Sequence, residues 1–451
     1  MNTENNISTF YFVGIGGIGM SALARFFALQ GKRVLGYDKT PSAITKALER
    51  EGISITFTDA VSELPESIKN PKDTLVVYTP AIPTTNTLLS WFTHQGYTII
   101  KRAALLGEVT KDTLCLAVAG THGKTTTSAI LGHLMAACDM PVTAFLGGIA
   151  ENYNSNFIYK GNDITVVEAD EFDRSFLQLH PDIACVTSMD ADHLDIYGDA
   201  ATIEDAFVSF SELLPKKNNL LYKKGLPLEG VTVAINEAAD FEAQNVRIEE
   251  GCYVFDLKTP NETIRELKFH LPGHHNLHNA ITALGMAITA GTPTHGLPKA
   301  LENFEGVQRR FSYRLRKDDV VLIDDYAHHP TEIDALFQAV SEMYPDAQKL
   351  IVFQPHLFSR TRDFAAGFAR SLSQFDEVVL LDIYPAREVP IPGITSEWLL
   401  DKVTCQAKTL ISKDELPLLV KNSNCKIKLL VGAGDIGAEV QTVVQFLEHE
   451  N

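Results

Sequence analysis

The chain has 451 residues, of which 45% are hydrophobic and 21% charged, as is ordinary for a soluble globular protein. Its formal net charge is −18, which disfavours DNA or RNA as a partner because nucleic acid phosphates carry the same sign. Domains of ~150 residues predict about three of them. Any phosphate group would have to be bound locally, by backbone amides, a few cations and Mg²⁺.

The polar N-terminus and the short apolar runs predict neither a signal peptide nor a membrane span, which needs ~18 apolar residues. The six cysteines form no C-x-x-C pair, and Cys115 and Cys185 lie in apolar runs, so they are interpreted as core residues. We therefore expect a cytoplasmic protein without a membrane or nucleic acid partner, as a monomer or a weak homodimer.

Strand-length apolar runs alternate with helix-length amphipathic segments along the whole chain. This alternation predicts an α/β fold with mostly parallel sheets. We place a first domain at residues 1–108, a second at residues 109–308 and a third at residues 309–451. The second domain ends in short strand-like runs, between residues 230 and 271.

The first motif along the chain is a glycine cluster, G-x-G-x-x-G, between an apolar run and a predicted helix. It contains Gly14, Gly16, Gly17 and Gly19, and Asp38 ends the next strand-like run. This pattern is typical of a diphosphate site, where backbone amides and the helix dipole hold the anion. Alone it would favour an NAD-dependent dehydrogenase, but the amides do not distinguish what lies beyond the diphosphate.

The strongest motif is a shortened phosphate loop that follows the apolar run 114–119 and precedes a predicted helix at 129–137. Lys124 would reach the β- and γ-phosphates of ATP, and the hydroxyl of Thr125 would ligate Mg²⁺. The alternative, a glycine turn with a surface lysine, does not explain why a strand precedes it and a helix follows. The predicted nucleotide contacts are Gly120, Thr121, His122, Gly123, Lys124, Thr125 and Thr126.

Two acidic motifs follow strand-like runs of the second domain. Glu168 ends one run and is predicted to bind Mg²⁺ with Thr125, because Mg²⁺ prefers oxygen ligands. His193 follows the next run among three acids and is predicted to bind a second cation or to position a phosphate. The alternatives are a solvated acidic loop and a structural histidine.

Together these motifs resemble those of the Mur ligases, over nearly the whole chain. The resemblance rests on residues 12–20, 120–126, 168–171, 192–195, 273–280, 308–311, 324–332, 353–356 and 359–363. It implies a Rossmann-like N-terminal domain for the UDP group, a central P-loop ATPase-like mixed sheet for ATP, and a Rossmann-like C-terminal domain. The last of these would close over the substrates and help to bind the amino acid.

The resemblance also implies roles for individual residues. Catalytic roles are implied for Lys124, His193, His356 and Arg360, and metal binding for Thr125, Glu168 and His193. Nucleotide contacts are implied for Asn276, Asn279, Arg310 and Asp325. Substrate contacts are implied for Gly14, Gly16, Gly17, Gly19, Asp38, Tyr326, His328, Arg360 and Arg362.

The chain departs from the family pattern in places. Residues 200–214 contain no lysine, whereas other Mur ligases carry a carbamoylated lysine shortly after the Asp-His motif. This absence fits the alanine-adding branch of the family. Leu357 and Phe358 stand where relatives often have Arg-Tyr, which leaves one substrate contact open.

The implied reaction is the ATP- and Mg²⁺-dependent ligation of L-alanine to the lactyl carboxylate of UDP-N-acetylmuramate, through an acyl phosphate. A murein-peptide recycling ligase, which attaches a tripeptide to the same sugar, is the nearest alternative. A dehydrogenase would leave residues 120–127 unexplained, and a non-catalytic UDP-sugar sensor would not need Lys124 and Glu168. Alanine, serine and glycine stay open as acceptors, and His356 is a candidate general base.

Overall fold

The computed structural model describes residues 7–68, 70–190, 200–249, 251–386 and 388–448. The chain divides into two compact units. Unit 1 contains Met1–Arg247, Val254–Lys268 and His278–Phe304, and unit 2 contains Ile248–Tyr253, Phe269–Leu277 and Glu305–Asn451.

The N-terminal sheet of unit 1 is parallel, and its strand order is β3-β2-β1-β4-β5. Its strands are β1 (Thr9–Val13), β2 (Arg33–Tyr37), β3 (Ser54–Thr56), β4 (Thr74–Tyr78) and β5 (Thr98–Lys101). Its helices are α1 (Ile18–Leu29), α2 (Ala43–Arg50), α3 (Thr87–His94) and α4 (Arg102–Thr110). Every residue of β1 is buried, as expected for the central strand of a Rossmann-like sheet covered on both faces.

The second sheet has the strand order β15-β14-β13-β12-β11-β10-β6-β9-β7-β8. Its strands are β6 (Leu114–Ala119), β7 (Val142–Ala150), β8 (Ser155–Tyr159), β9 (Ile164–Glu168), β10 (Ile183–Val186), β11 (Leu220–Lys223), β12 (Val231–Ile235), β13 (Phe241–Glu249), β14 (Cys252–Lys258) and β15 (Thr263–Phe269). The helices of this region are α5 (Lys124–Ala137), α6 (Ala200–Ser211), α7 (His274–Thr289) and α8 (Leu297–Glu302). β6 pairs in parallel with β9 and β10, so the carboxyl ends of these strands meet at one edge of the sheet.

The sheet of unit 2 has the strand order β16-β17-β21-β18-β19-β20 and is parallel except for the β16–β17 pair. Its strands are β16 (Ser312–Arg316), β17 (Val321–Asp325), β18 (Lys349–Phe353), β19 (Glu377–Leu380), β20 (Ala407–Leu410) and β21 (Ile427–Val431). Its helices are α9 (Pro330–Met343), α10 (Phe358–Asp363), α11 (Ala365–Leu372), α12 (Ser396–Leu400), α13 (Leu416–Asn422) and α14 (Ile436–Glu448). The expected α/β class, with mostly parallel sheets, is confirmed.

Within unit 1, the N-terminal sheet and the second sheet share one hydrophobic core. Phe26 of α1 lies edge-on to Phe145 of β7, with ring centroids 5.5 Å apart. The fully buried Asn156 of β8 donates to the hydroxyl of Ser21 (3.0 Å) and accepts from the guanidinium of Arg25. A buried polar group is stable only when it is hydrogen-bonded, so this contact specifies how α1 docks on the second sheet.

Two further expectations concern cysteines and helix length. Cys115 and Cys185 are buried and form no disulfide, as expected. No helix in the described part of the chain has the length and apolar character required to cross a membrane.

Helix α5 begins at Lys124, earlier than the predicted start at residue 129. The prediction followed the apolar periodicity, which does not extend to the polar residues Thr126 to Ser128, although these residues are buried in the helix.

Candidate active site

The loop between β6 and α5 has the geometry of a phosphate loop. Gly120 (φ +132°) and Gly123 (φ +84°) both have positive φ, which favours glycine. A Cβ at Gly120 would lie 2.1 Å from Oγ1 of Thr187, and one at Gly123 would lie 2.5 Å from Oδ1 of Asn279. The loop therefore needs glycine at both positions, and it leads into the N-terminus of α5, where free amides and the helix dipole favour an anion.

The segment after β10 forms hydrogen bonds with this loop. The Thr121 and Ser188 hydroxyls are 2.8 Å apart, and the His122 amide donates to the Ser188 hydroxyl at 2.8 Å. Nε2 of His122 lies 3.4 Å from the Asp190 carboxylate. No sequence motif predicted that Ser188 contacts the phosphate loop. Its position just after β10, a strand that neighbours β6, could have indicated such a contact.

The ammonium group of Lys124 is held by a carboxylate that sequence reasoning left without a role. Lys124 Nζ donates to the Gly120 carbonyl (2.7 Å) and to both carboxylate oxygens of Glu171 (2.8 and 2.9 Å). The side chains of Lys124 and Glu171 are only 14% and 2% exposed. Burial alone would lower the pKa of Lys124, but Glu171, Asp170 and Glu168 raise it overall, so the ammonium stays charged.

Thr125 and Glu168, the predicted Mg²⁺ ligands, lie in direct contact. The Thr125 hydroxyl donates to both carboxylate oxygens of Glu168, at 2.9 and 3.1 Å. Glu168 reaches this point because β9 pairs with β6 and because residue 147 is glycine: a Cβ there would lie 1.9 Å from Glu168 Oε2. A hydroxyl and a carboxylate at the mouth of a phosphate loop are the hard oxygen ligands that suit Mg²⁺. The predicted third ligand, His193, lies outside the described residues.

The N-terminal glycine loop lies at the carboxyl end of β1, as predicted, but most of its amides are already bonded within the protein. Gly14 donates to the last carbonyl of β2 (2.7 Å), Gly16 to the carboxylate of Asp38 (2.8 Å) and Gly17 to the carbonyl of Gly14 (3.2 Å). In the first turn of α1, the amides of residues 18–20 have no intrahelical acceptor, and the first such bond is made by the amide of Ser21. These are the donors positioned for an anion.

A small cleft, with a cavity volume of about 10 Å³, lies between α4 and the acidic segment after β9. Its lining includes Arg102 on one side and Glu168 and Asp170 on the other. Arg102 also lies against the glycine loop, since a Cβ at Gly19 would be 2.9 Å from Arg102 Nη1. The cleft therefore adjoins both the glycine loop and the predicted metal ligand Glu168. No sequence motif pointed to Arg102.

In unit 2, several predicted residues gather after β17. The Asp325 carboxylate accepts from the amides of Phe311 (2.7 Å) and Ala327 (2.8 Å). Burial raises the pKa of Asp325 to about 6. The Arg310 guanidinium lies over the Tyr326 ring, 5.2 Å from its centroid, which is a cation–π geometry.

His328 and His356 belong to the same cluster, with ring centroids 6.2 Å apart. Nδ1 of His328 donates to the Tyr326 carbonyl (2.9 Å), which leaves Nε2 as the acceptor of the neutral ring. Burial lowers the pKa of His328, with Glu332 opposing this and Arg360 reinforcing it. Glu332 was not predicted to have a role, yet its carboxylate accepts from the His328 amide at 2.8 Å and closes the capping box of α9.

The remaining predicted residues lie in other surroundings. Arg362 donates to the neighbouring Asp363 (2.7 Å), and its side chain is half-exposed. Asn276 is buried and donates to the Pro272 carbonyl (2.7 Å). Asn279 lies against Gly123 of the phosphate loop. Leu357, where relatives were expected to have arginine, has φ +70°, a strained backbone conformation directly after His356.

A Rossmann-like sheet joined to a phosphate-loop sheet, with a lysine and two glutamates at the loop, defines an enzyme of the nucleotide-dependent α/β class. Three family models match in succession: the Mur ligase family catalytic domain at residues 9–113, the Mur ligase middle domain at 118–287, and the Mur ligase glutamate ligase domain at 309–423. The chain belongs to the Mur ligase family, whose members are ATP-dependent ligases.

Individual relatives resemble the chain over its full length. It is 57% identical over 451 residues, 100% of both chains, to the UDP-N-acetylmuramate–L-alanine ligase of Christiangramia forsetii. The crystal structure of the UDP-N-acetylmuramate–alanine ligase of Thermotoga maritima has a TM-score of 0.82 and 27% identity, covering 97% of this chain and 98% of that one. A murein peptide ligase of Psychrobacter arcticus shares the fold, with a TM-score of 0.70 at 20% identity and coverage of 98% and 99%.

Proposed function

We propose that this protein ligates L-alanine to the lactyl carboxylate of UDP-N-acetylmuramate with consumption of ATP, the first peptide step of peptidoglycan synthesis. The observation that carries the proposal is the phosphate loop, where Lys124 and Thr125 meet the carboxylates of Glu171 and Glu168. This loop lies in a chain that is 57% identical over its full length to a ligase named for that reaction. Because the reaction consumes ATP, the proposed location is the cytoplasm.

The proposed chemistry proceeds in two steps. An oxygen of the muramyl carboxylate attacks the γ-phosphorus of ATP, the bond from phosphorus to the ADP oxygen breaks, and an acyl phosphate forms. The nitrogen of alanine then attacks the carbonyl carbon, the carbon–oxygen bond to phosphate breaks, and phosphate and one proton are released. Phosphorylation is needed because a carboxylate has no adequate leaving group.

The residues of the phosphate loop act mainly by positioning and by neutralising charge. The α5 amides bind the phosphates, and the Lys124 ammonium stabilises the charge that shifts to the leaving ADP. Thr125 and Glu168 would hold Mg²⁺, which supplies further positive charge to the phosphates when bound. His193 is proposed to bind a second cation.

The cluster in unit 2 is proposed to serve the amino acid and the nucleotide. Arg360 would pair with the carboxylate of alanine, because guanidinium groups bind carboxylates in a bidentate manner. His356 and the neutral His328 are the candidates to accept the ammonium proton of alanine. Contacts with ATP are proposed for Asn276, Asn279, Arg310 and Asp325. Contacts with the substrate are proposed for Tyr326 and Arg362.

The direct test measures phosphate release with UDP-N-acetylmuramate, ATP and Mg²⁺, adding single amino acids or a tripeptide in turn. We expect release with L-alanine, its abolition in Lys124→Ala with UDP-sugar binding retained, and no change in Lys299→Ala, a surface lysine 73% exposed. Release with the tripeptide alone would favour the recycling ligase. Oxidation or reduction of a nicotinamide cofactor without ATP turnover would favour a dehydrogenase.

A further inference from the structure

The segments that follow β18 and β19 stay paired beyond the ends of these two parallel strands. The amide of Leu357 donates to the carbonyl of Tyr384 (3.0 Å), and the amide of Tyr384 donates to the carbonyl of Pro355 (2.8 Å). The rings of His356 and Tyr384 are stacked, with their centroids 5.8 Å apart. The continued pairing therefore fixes the place of the His356 side chain, just before the chain turns into α10.

The turn between His356 and α10 has a strained backbone. Leu357 has φ +70° and ψ +135°, a combination that residues with a side chain seldom adopt. Such a conformation persists only where the surrounding structure holds it. His356, the candidate general base, precedes this turn, and Arg360, the proposed partner of the alanine carboxylate, follows it in α10. The separation of these two groups therefore depends on the conformation of Leu357.

The carboxylate of Glu388, in the segment after β19, holds the other side of this turn. It accepts from the amide of Ser359 (3.0 Å), from the hydroxyl of Ser359 and from the amide of Phe358. Burial alone would raise the pKa of Glu388, but these bonds and the nearby His356 lower it overall, so the side chain is ionised at neutral pH. One charged side chain thus anchors the first turn of α10.

We infer that Glu388 is a positioning residue for the amino acid substrate, which holds the guanidinium of Arg360 at a fixed distance from the imidazole of His356. A free amino acid carries its carboxylate and its ammonium group on one carbon atom, so their two partners must keep a fixed separation. Glu388 acts through the first turn of α10 and the strained Leu357. The inference rests on the proposed function, because it concerns the amino acid used in that reaction.

The test measures phosphate release by the full-length protein and compares the KM for each of the three substrates in Glu388→Ala and in the wild type. We expect the KM for L-alanine to rise on the order of 10-fold, because the bonds to a charged carboxylate are lost. The KM values for ATP and UDP-N-acetylmuramate should stay within about a factor of two. Glu388→Gln keeps an oxygen acceptor for the Ser359 amide and should recover part of the loss.

The matched control is Glu415→Ala. The carboxylate of Glu415 also accepts from the amide and the hydroxyl of a single serine, Ser412, at 2.9 and 2.8 Å, but it is exposed and directly precedes α13. Its loss should leave all three KM values unchanged.

A double variant tests whether Glu388 acts through the arginine. Arg360→Ala removes the guanidinium that Glu388 is inferred to position, so adding Glu388→Ala should raise the KM for L-alanine little further.

An unchanged KM for L-alanine in Glu388→Ala would overturn the inference, and so would a full additional rise in the double variant. A similar rise in all three KM values would overturn it too, since that would indicate a general loss of structure. If Glu388→Ala does not fold, the same measurements on Glu388→Gln decide. If the wild-type protein released phosphate with no amino acid, the proposed function itself would fail.

Discussion

Replacing Glu171 by glutamine would test how Lys124, the proposed catalytic lysine, is positioned. Both carboxylate oxygens of Glu171 accept from Lys124 Nζ, at 2.8 and 2.9 Å, and the pair is nearly inaccessible to solvent. Glutamine has almost the same shape and keeps one oxygen acceptor, but it removes the negative charge. The Gly120 carbonyl, 2.7 Å from Nζ, would remain as the other anchor.

The magnitude follows from the loss of one charge-assisted bond in a buried pair. Hydrogen bonds to charged groups contribute roughly 1.5–3 kcal/mol, and each ~1.4 kcal/mol corresponds to a tenfold change in rate. We therefore expect kcat to fall on the order of 10–100-fold. The KM for ATP should not rise, because removal of a carboxylate near the triphosphate also removes repulsion.

The assay is phosphate release at saturating UDP-N-acetylmuramate and L-alanine, with ATP varied. Glu171→Asp keeps the charge on a shorter side chain and should recover part of the lost kcat. The matched control is Glu229→Gln, which removes the ion pair between Lys217 and Glu229. The side chains of these two residues are 77% and 75% exposed. An exposed pair contributes little, so this variant should match the wild type.

A Glu171→Gln variant whose kcat stays within a factor of two of the wild type would refute this positioning role for Glu171. A selective rise in the KM for ATP with kcat unchanged would contradict it too, because Glu171 would then serve binding and not the positioning of Lys124 in the transition state.

The remaining predictions concern Gly147 and Asp325. Gly147→Ala should lower activity at least ~10-fold and raise the Mg²⁺ concentration needed for half-maximal rate. The reason is that the new Cβ would lie 1.9 Å from Oε2 of Glu168 and would displace that carboxylate. An unchanged Mg²⁺ dependence would contradict this prediction. Burial raises the pKa of Asp325 to about 6, above its unfolded value of ~3.9, so its contribution to stability falls as pH rises from about 4 to 6. The melting temperature of Asp325→Asn, relative to the wild type, should therefore increase over that range, and parallel pH curves would show the prediction to be wrong.

Features that depend on local chain geometry could be predicted from the order of the amino acids. Alternating apolar runs predicted the α/β class, because strand and helix periodicities are properties of neighbouring residues. The phosphate loop at residues 120–125 was evident since strand, glycine turn and helix N-terminus are consecutive. The segment 230–271 was correctly expected to be rich in strands, which are β12 to β15. The individual site roles stay predictions until the variants are measured.

Which side chains come into contact depends on how the strands and helices are arranged in the folded chain. Glu171 reaches Lys124 because β9 lies beside β6, and Ser188 reaches His122 because β10 lies on the other side of β6. Arg102 meets the glycine loop only through the docking of α4 beside α1. Spacing in the chain specifies none of these contacts, because strand order and helix docking depend on the burial of whole faces and not on any local pattern.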